Sequence, residues 1–124
     1  MKGMAMEYYG IHVALATPFT KTGRAIDHSK LKALVDDQIA HGIHGLVVCG
    51  STGEFPALSG KERRAVTETV CKAARGRVPV TVGVGAMSTV EALALARVCA
   101  ASTSGRRGCR SNRLRPRRSR VSPS

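Results

Sequence analysis

The sequence predicts an α/β protein built on a parallel sheet, and three observations carry that prediction. Short apolar runs open near residues 11, 43 and 79, a spacing that fits one strand plus one helix. Each run is continuously apolar rather than alternating, as strands covered on both faces are. Between the runs, apolar residues recur at helical period behind recognisable start signals.

The elements follow in order. Ile11-His12-Val13-Ala14-Leu15 forms a strand that stops at Thr17-Pro18, because proline offers no ladder donor. Asp27 is placed as an N-cap, with Ile26 and Leu31 as a hydrophobic staple. Leu31, Leu34, Val35 and Ile39 share the helical face behind it, and Gly42 supplies the stop. A second strand, Ile43 to Cys49, follows at once. Ser59-Gly-Lys-Glu62 is a capping box, and its helix carries Ala65, Val66, Thr69, Val70 and Ala73 as an apolar stripe closed near Gly76. Pro79 leads the third strand, Val80 to Val84. Ser88-Thr-Val-Glu91 is a second capping box, opening a helix through Leu93 and Ala96.

From about Cys99 the pattern ends, and Arg, Ser, Gly and Pro dominate without an acid or an aromatic. The chain thus divides into a flexible start (1–9), an ordered α/β segment (10–101) and a basic tail (102–124). Such a tail cannot bury enough apolar surface to offset its ordering entropy, so disorder is expected. The formal charge of +12 belongs mostly to it: eight arginines lie beyond residue 101, whereas the segment before carries twelve basic and eight acidic side chains. A nucleic-acid-binding arm is the competing class of function. Eight arginines would give salt-sensitive, sequence-independent affinity. Stacking aromatics are missing after Phe55 and no binding module is recognisable, so specific nucleic-acid binding is not expected.

Four cysteines (Cys49, Cys71, Cys99 and Cys109) show no CxxC pairing, and Cys49 is expected as a small buried hydrophobe at a strand end. His41-x-x-His44 has no acidic or cysteine partner nearby and is taken as a helix cap and a strand residue, so no metal site is expected. Glu7 interrupts the N-terminus before any apolar run of signal length, and no membrane span follows. The cytoplasm is the expected compartment.

The stretch LVVCGSTGEF (Leu46 to Phe55) is the chemical candidate. In parallel α/β architectures ligands gather where strands end and helices begin. Gly50 and Gly53 permit a sharp turn and close approach, while Ser51 and Thr52 offer hydroxyls to a small anion such as a carboxylate. A hydrogen bond to a charged partner contributes about 1.5–3 kcal/mol, so two would orient a small acid. From the residues alone, a plain polar turn explains the motif equally well.

The surrounding motifs are ALATPF (Ala14 to Phe19), GRAID (Gly23 to Asp27), GLVVCGSTGEFPALS (Gly45 to Ser59), Glu62-Arg63, GRVPVTVGVGA (Gly76 to Ala86) and STVEALALA (Ser88 to Ala96). In order and spacing, over residues 10–98, they resemble the N-terminal part of the dihydrodipicolinate synthase / N-acetylneuraminate lyase family. The resemblance implies a (βα)8 barrel of which this chain supplies the first three units, and a class I aldolase-type lyase acting on pyruvate through a lysine Schiff base. It implies that Thr52 binds the pyruvate carboxylate, that Ser51 is the hydroxyl of a tyrosine-based proton relay, and that Gly50 and Gly53 shape the loop. Glu54 is expected to be structural, bonding backbone groups of the turn. The implied activity is the condensation of pyruvate with aspartate semialdehyde on the route to lysine. Neuraminate lyase or a sugar-acid aldolase or dehydratase of the same family is the alternative. No cofactor or metal is implied, and homo-oligomers are.

The family's Schiff-base lysine lies on the sixth strand and its relay tyrosines on or just after the fourth and fifth, beyond the pattern found here. Lys2, Lys21, Lys30, Lys32, Lys61 and Lys72 fall in the terminus, a loop and two helices, and Tyr8 and Tyr9 precede the first strand. A solvated lysine is mostly protonated and a poor nucleophile. An inactive chain holding half of a carboxylate cradle is the expectation. The break in pattern before the tail is the kind a shifted reading frame produces, which the nucleotide sequence would test.

Overall fold

The computed structural model describes residues 9–103. Strands β1 (His12–Ala14), β2 (Gly45–Val48) and β3 (Val80–Val82) make one parallel sheet in the order β1-β2-β3. They alternate with helices α1 (His28–Ala40), α2 (Gly60–Ala74) and α3 (Thr89–Thr103), and a 3-10 turn, Phe55–Ala57, precedes α2. This is the predicted α/β class. The regular strands are shorter than the apolar runs, although their ladders continue. Leu15 N–H donates to the Val47 carbonyl (2.9 Å) and Gly83 N–H to the Val48 carbonyl (2.8 Å).

The predicted caps are in place. Asp27 Oδ1 accepts from Lys30 N–H (3.0 Å), and Ile26 packs, half-buried, against the core cluster that contains the fully buried Leu31. Ser59 and Glu62 complete the capping box reciprocally, at 3.2 and 2.9 Å. At α3, Glu91 N–H donates to Ser88 Oγ (3.2 Å), the forward half of the second box. His41 caps α1, its Nδ1 against the Asp37 carbonyl at 2.7 Å. His44 lies one residue before β2 rather than inside a strand. Its Nδ1 accepts from Ile11 N–H (2.9 Å) while its own N–H donates to the Ile11 carbonyl (2.8 Å), clamping the two strand starts together. Helix α3 runs to Thr103, past the point where the apolar pattern stops. The expected flexible start up to residue 8, and the tail from 104 to 124, lie outside the described residues.

Each crossover moves one strand along the sheet in the same direction, so right-handed connections bring α1 and α2 to one face, and α3 packs beside α2. Along a strand successive side chains alternate faces. In the observed register Val13, Leu46 and Val80 form one row and Ala14, Val47 and Thr81 the next. The first row meets the helices: Leu46 and Val80 are buried with Val48, Leu31, Val35, Val66 and Val70. In the second row Ala14 is exposed, and Val47 and Thr81 are only half-buried. The sheet therefore has one finished face and one open one.

Helix α2 is the middle layer, packing on α1, α3 and the sheet. This rotates its buried face away from the predicted stripe. Val66 and Val70 hold their places, but Arg63, Thr67, Cys71 and Ala74 are the other buried residues, and Ala65, Thr69 and Ala73 lie half-buried. Thr69 Oγ1 meets His28 Nδ1 across the α1 interface (2.8 Å), and Arg77 bridges Asp36 (2.6 Å) and the Ala73 carbonyl (2.8 Å).

The Glu62 carboxylate accepts the Ser59 backbone bond, which holds it below the usual carboxylate range. A lowered folded-state value means that this contribution is present above the unfolded value and lost as pH falls through the folded one. Thermal unfolding followed by circular dichroism should show stability falling on acidification. Glu62→Gln, which can still close the box, should flatten that component of the profile.

Candidate functional site

The turn Cys49–Phe55 leaves the C-terminal end of β2, and its two left-handed residues are not its glycines. Cys49 (φ 55°) and Glu54 (φ 56°) take that conformation. Gly50 and Gly53 are absent from the positive-φ set, so a sharp turn is not what they supply. Gly53 is needed for space: a Cβ there would lie 3.1 Å from the Leu15 carbonyl and 3.3 Å from Cys49 N. At Gly50 the nearest atom to a built Cβ is Val47 Cγ1 at 3.9 Å, ordinary contact. The tightest approach to backbone is at Gly83, after β3, where a Cβ would collide with the Cys49 carbonyl oxygen and lie 2.9 Å from its carbon.

Two side chains outside the turn fix it. Thr17, buried at the end of β1, donates from Oγ1 to the Gly53 carbonyl (2.8 Å). Arg63, 6% exposed, reaches from α2 to the loop after β3, donating from Nη1 to the Gly85 carbonyl (2.7 Å) and from Nη2 to the Gly83 carbonyl (2.8 Å). Its guanidinium also lies over the Phe55 ring at 5.2 Å. Among the described residues no carboxylate pairs with Arg63, so carbonyl dipoles and the ring face take up its charge. Sequence reasoning gave neither residue this role. Thr17 had been assigned only to a strand stop. Arg63 stands one turn before Val66 and Thr67 on the buried face, which was the available signal.

Within the turn, Glu54 N–H donates to the Ser51 carbonyl (3.0 Å) and Phe55 N–H to the Gly50 carbonyl (3.4 Å). Glu54 contributes through its backbone, and its exposed side chain makes no capping bond, contrary to the expected role of the carboxylate. Ser51 and Thr52 are exposed, and among the described residues nothing engages their hydroxyls. The N–H groups of Ser51, Thr52 and Gly53 likewise have no backbone acceptor among the described residues. Adjacent unpaired N–H groups with two hydroxyls favour a small anion.

Cys49 sits beneath this turn, 1% exposed, as the sequence suggested. Burial pushes its thiol up, against the opposing pull of Arg63 and a hydrogen bond with Thr67. Burial raises the Cys99 thiol as well. Neither is primed as a nucleophile. An open cleft of ≈ 760 Å³ between the 3-10 turn, α2 and α3 is lined by Phe55, Leu58, Arg63, Met87, Leu95 and Val98, but not by Ser51 or Thr52. Lys21, Lys30, Lys32, Lys61 and Lys72 are all exposed and none lies on a strand. Tyr9 packs on His44 (ring centroids 5.1 Å apart) at the start of β2, the opposite end from the turn. Among the described residues no group of three His, Cys, Asp or Glu is placed to hold a metal, and no helix is long and apolar enough to cross a membrane.

Fold and site define a class: the opening units of a parallel (βα) barrel, with an exposed hydroxyl-bearing turn where the second strand ends. The chain belongs to the dihydrodipicolinate synthetase family, whose model matches residues 7–111, beyond the span of the sequence motifs. It is 50% identical to the 4-hydroxy-tetrahydrodipicolinate synthase of Sorangium cellulosum over 93 residues, covering 75% of this chain and 31% of that protein. The same enzyme of Parvibaculum lavamentivorans is 51% identical over 90 residues, 73% of this chain and 30% of the relative. Among solved structures, dihydrodipicolinate synthase from Bacillus anthracis superposes with a TM-score of 0.76 at 33% identity, over 79% of this chain and 33% of that one. The Acinetobacter baumannii synthase, crystallised with pyruvate, gives 0.73 at 35% identity, over 75% and 32%. The chain thus spans about a third of the length of these relatives, the N-terminal three units of their barrel.

Two substitutions separate space from dihedral freedom. Gly83→Ala should destabilise by about 1–3 kcal/mol, the usual range for overpacking a tight site, while Gly50→Ala should stay within about 0.5 kcal/mol; thermal melts compare them. Arg63→Lys keeps the charge but cannot bond two carbonyls as a planar fork. It should cost about 1.5–3 kcal/mol in the same assay.

Proposed function

We propose that this chain is the N-terminal portion of a 4-hydroxy-tetrahydrodipicolinate synthase-type lyase, in which it holds the carboxylate of pyruvate. In the whole enzyme pyruvate would condense with aspartate semialdehyde through a lysine Schiff base. The observation that carries the reading is the Ser51-Thr52 turn: exposed, unengaged, and pinned at a strand end by Thr17 and Arg63. Thr52 and the neighbouring N–H groups bind the carboxylate. Ser51 presents its hydroxyl to the proton relay, and Gly50 leaves room for the ligand to approach. The curated relatives at about half identity carry the synthase name, which favours this reading over the neuraminate-lyase or sugar-acid alternatives. The compartment would be the cytoplasm and the assembly a homo-oligomer.

None of the described lysines is placed to supply the attacking amine. An effective Schiff-base lysine must be unprotonated in the resting site, which desolvation or a neighbouring cation achieves; the described lysines here are solvated on loops and helix surfaces. This chain alone is therefore inactive.

Incubation with pyruvate, reduction with borohydride and intact-mass measurement should show no stoichiometric adduct on the purified chain. An adduct on any of its lysines would overturn the inactivity. Ser51→Ala and Thr52→Ala should leave thermal stability within about 0.5 kcal/mol, because neither hydroxyl has a partner among the described residues. Each should weaken the response of the turn's amide resonances to pyruvate. Unchanged responses in both variants would remove the assignment.

A further inference from the structure

We propose that the His44 clamp is a pH-sensitive latch, in which protonation of the imidazole releases the start of β1 from β2. The latch sits at the end of the sheet opposite the Ser51-Thr52 turn and does not depend on the function proposed above.

The His44 side chain stands in for a backbone acceptor. Its Nδ1 accepts from Ile11 N–H at 2.9 Å, while its own backbone N–H donates to the Ile11 carbonyl at 2.8 Å. The two residues thus exchange a pair of bonds, but one of the acceptors is a titratable nitrogen. An imidazole nitrogen that accepts carries no proton, so the neutral ring holds its hydrogen on Nε2. Protonation adds a hydrogen at Nδ1 and makes both ring nitrogens donors. Two N–H groups then face each other, and either the ring turns away or the Ile11 amide leaves. Histidine is the side chain that makes this change on the acid side of neutrality.

The surroundings tie residues 9–11 to the ring. Gly10 lies at φ 74°, and a Cβ there would collide with the His44 imidazole. Tyr9 packs on the ring with centroids 5.1 Å apart and planes inclined by 54°. His44 is half-buried, so solvent protons reach it. A ring that turns away abandons Ile11, the Gly10 backbone and Tyr9 together.

Titratable and charged groups on the adjoining elements do not compensate. The segment before β1 contributes the Tyr9 phenol, and β1 contributes His12, whose Nε2 meets the Tyr9 carbonyl (3.2 Å). The end of α1 contributes His41 and Asp37, engaged with each other at 3.5 Å. The turn before β3 contributes Arg77, held by Asp36 at 2.6 Å. Among the described residues no carboxylate forms an ion pair with His44. At the far end of β1 the bond from Leu15 N–H to the Val47 carbonyl (2.9 Å) involves no titratable side chain, so pairing persists there. The Glu62 box gives way only at lower pH, since its carboxylate is held below the usual range.

The test is NMR of the isotope-labelled whole chain from about pH 8 to about pH 5, the interval in which histidine changes charge. At the alkaline end a coupling through the hydrogen bond should join Ile11 N to His44 Nδ1, with the ring proton on Nε2. As the ring titrates the coupling should vanish. Protection of the Ile11 amide from hydrogen exchange, corrected for its intrinsic rate, should fall at least about tenfold while that of Leu15 holds. His44→Asn supplies an amide oxygen that accepts without titrating, and in that variant Ile11 protection should stay flat across the range. His12, His28 and His41 remain in it, so a loss of protection there assigns the effect to them and overturns the latch. A missing coupling at the alkaline end, a bond that survives ring protonation, or an equal loss at Leu15 overturns it as well.

Discussion

The whole arrangement depends on α2 being packed from three directions at once. It touches α1 on one side and α3 on the other, and lays Val66 and Val70 on the sheet. From that position its first buried turn holds the loop after β3 through Arg63, whose own carbonyl accepts from Thr67 Oγ1 (2.8 Å) and lies 3.8 Å from the Cys49 thiol. The end of β2 and the end of β3 are thereby referenced to the same half-turn of helix. A buried guanidinium without a carboxylate is tolerated because two carbonyl oxygens and an aromatic face replace the water it gave up.

Most of this fold was legible in the sequence for a local reason. Caps, stops and apolar runs are short-range signals, and Asp27, Ser59 and Gly42 act where their neighbours said they would. What escaped was set by the third dimension. The α2 stripe rotated because a helix packed on three sides has a wider buried face than a one-sided amphipathic pattern implies. The strands run three or four residues, shorter than the apolar runs, with single bonds such as Leu15 N–H to the Val47 carbonyl extending the pairing past their ends. Gly50 and Gly53 were expected to permit a sharp turn, yet neither has a positive φ; Gly53, and Gly83 after β3, make room for backbone, a fact that depends on what packs opposite and that no local window contains.

The site divides along the same line. Ser51 and Thr52 were candidates from residue type, position after an apolar run and the surrounding family motifs, and the structure leaves both exposed at the strand end. Thr17 and Arg63, which hold the turn in place, are separated from it in sequence and reach it only through the crossover topology. Belonging to the dihydrodipicolinate synthetase family explains the economy of the arrangement. The described residues make three βα units of the kind that open the barrels of the solved relatives, with the turn after β2 held by residues of β1's continuation and α2.

The left-handed conformations of Cys49 and Glu54 have a consequence for how the turn keeps its shape. A non-glycine residue in that region carries a penalty of about 1–2 kcal/mol, and this turn has one at each end. Excised as a short peptide, the same residues would relax into extended or ordinary turn conformers and scatter the hydroxyls. The shape of the turn is thus a property lent by β1, β3 and α2, and grafting Cys49–Phe55 onto another loop would not carry it along.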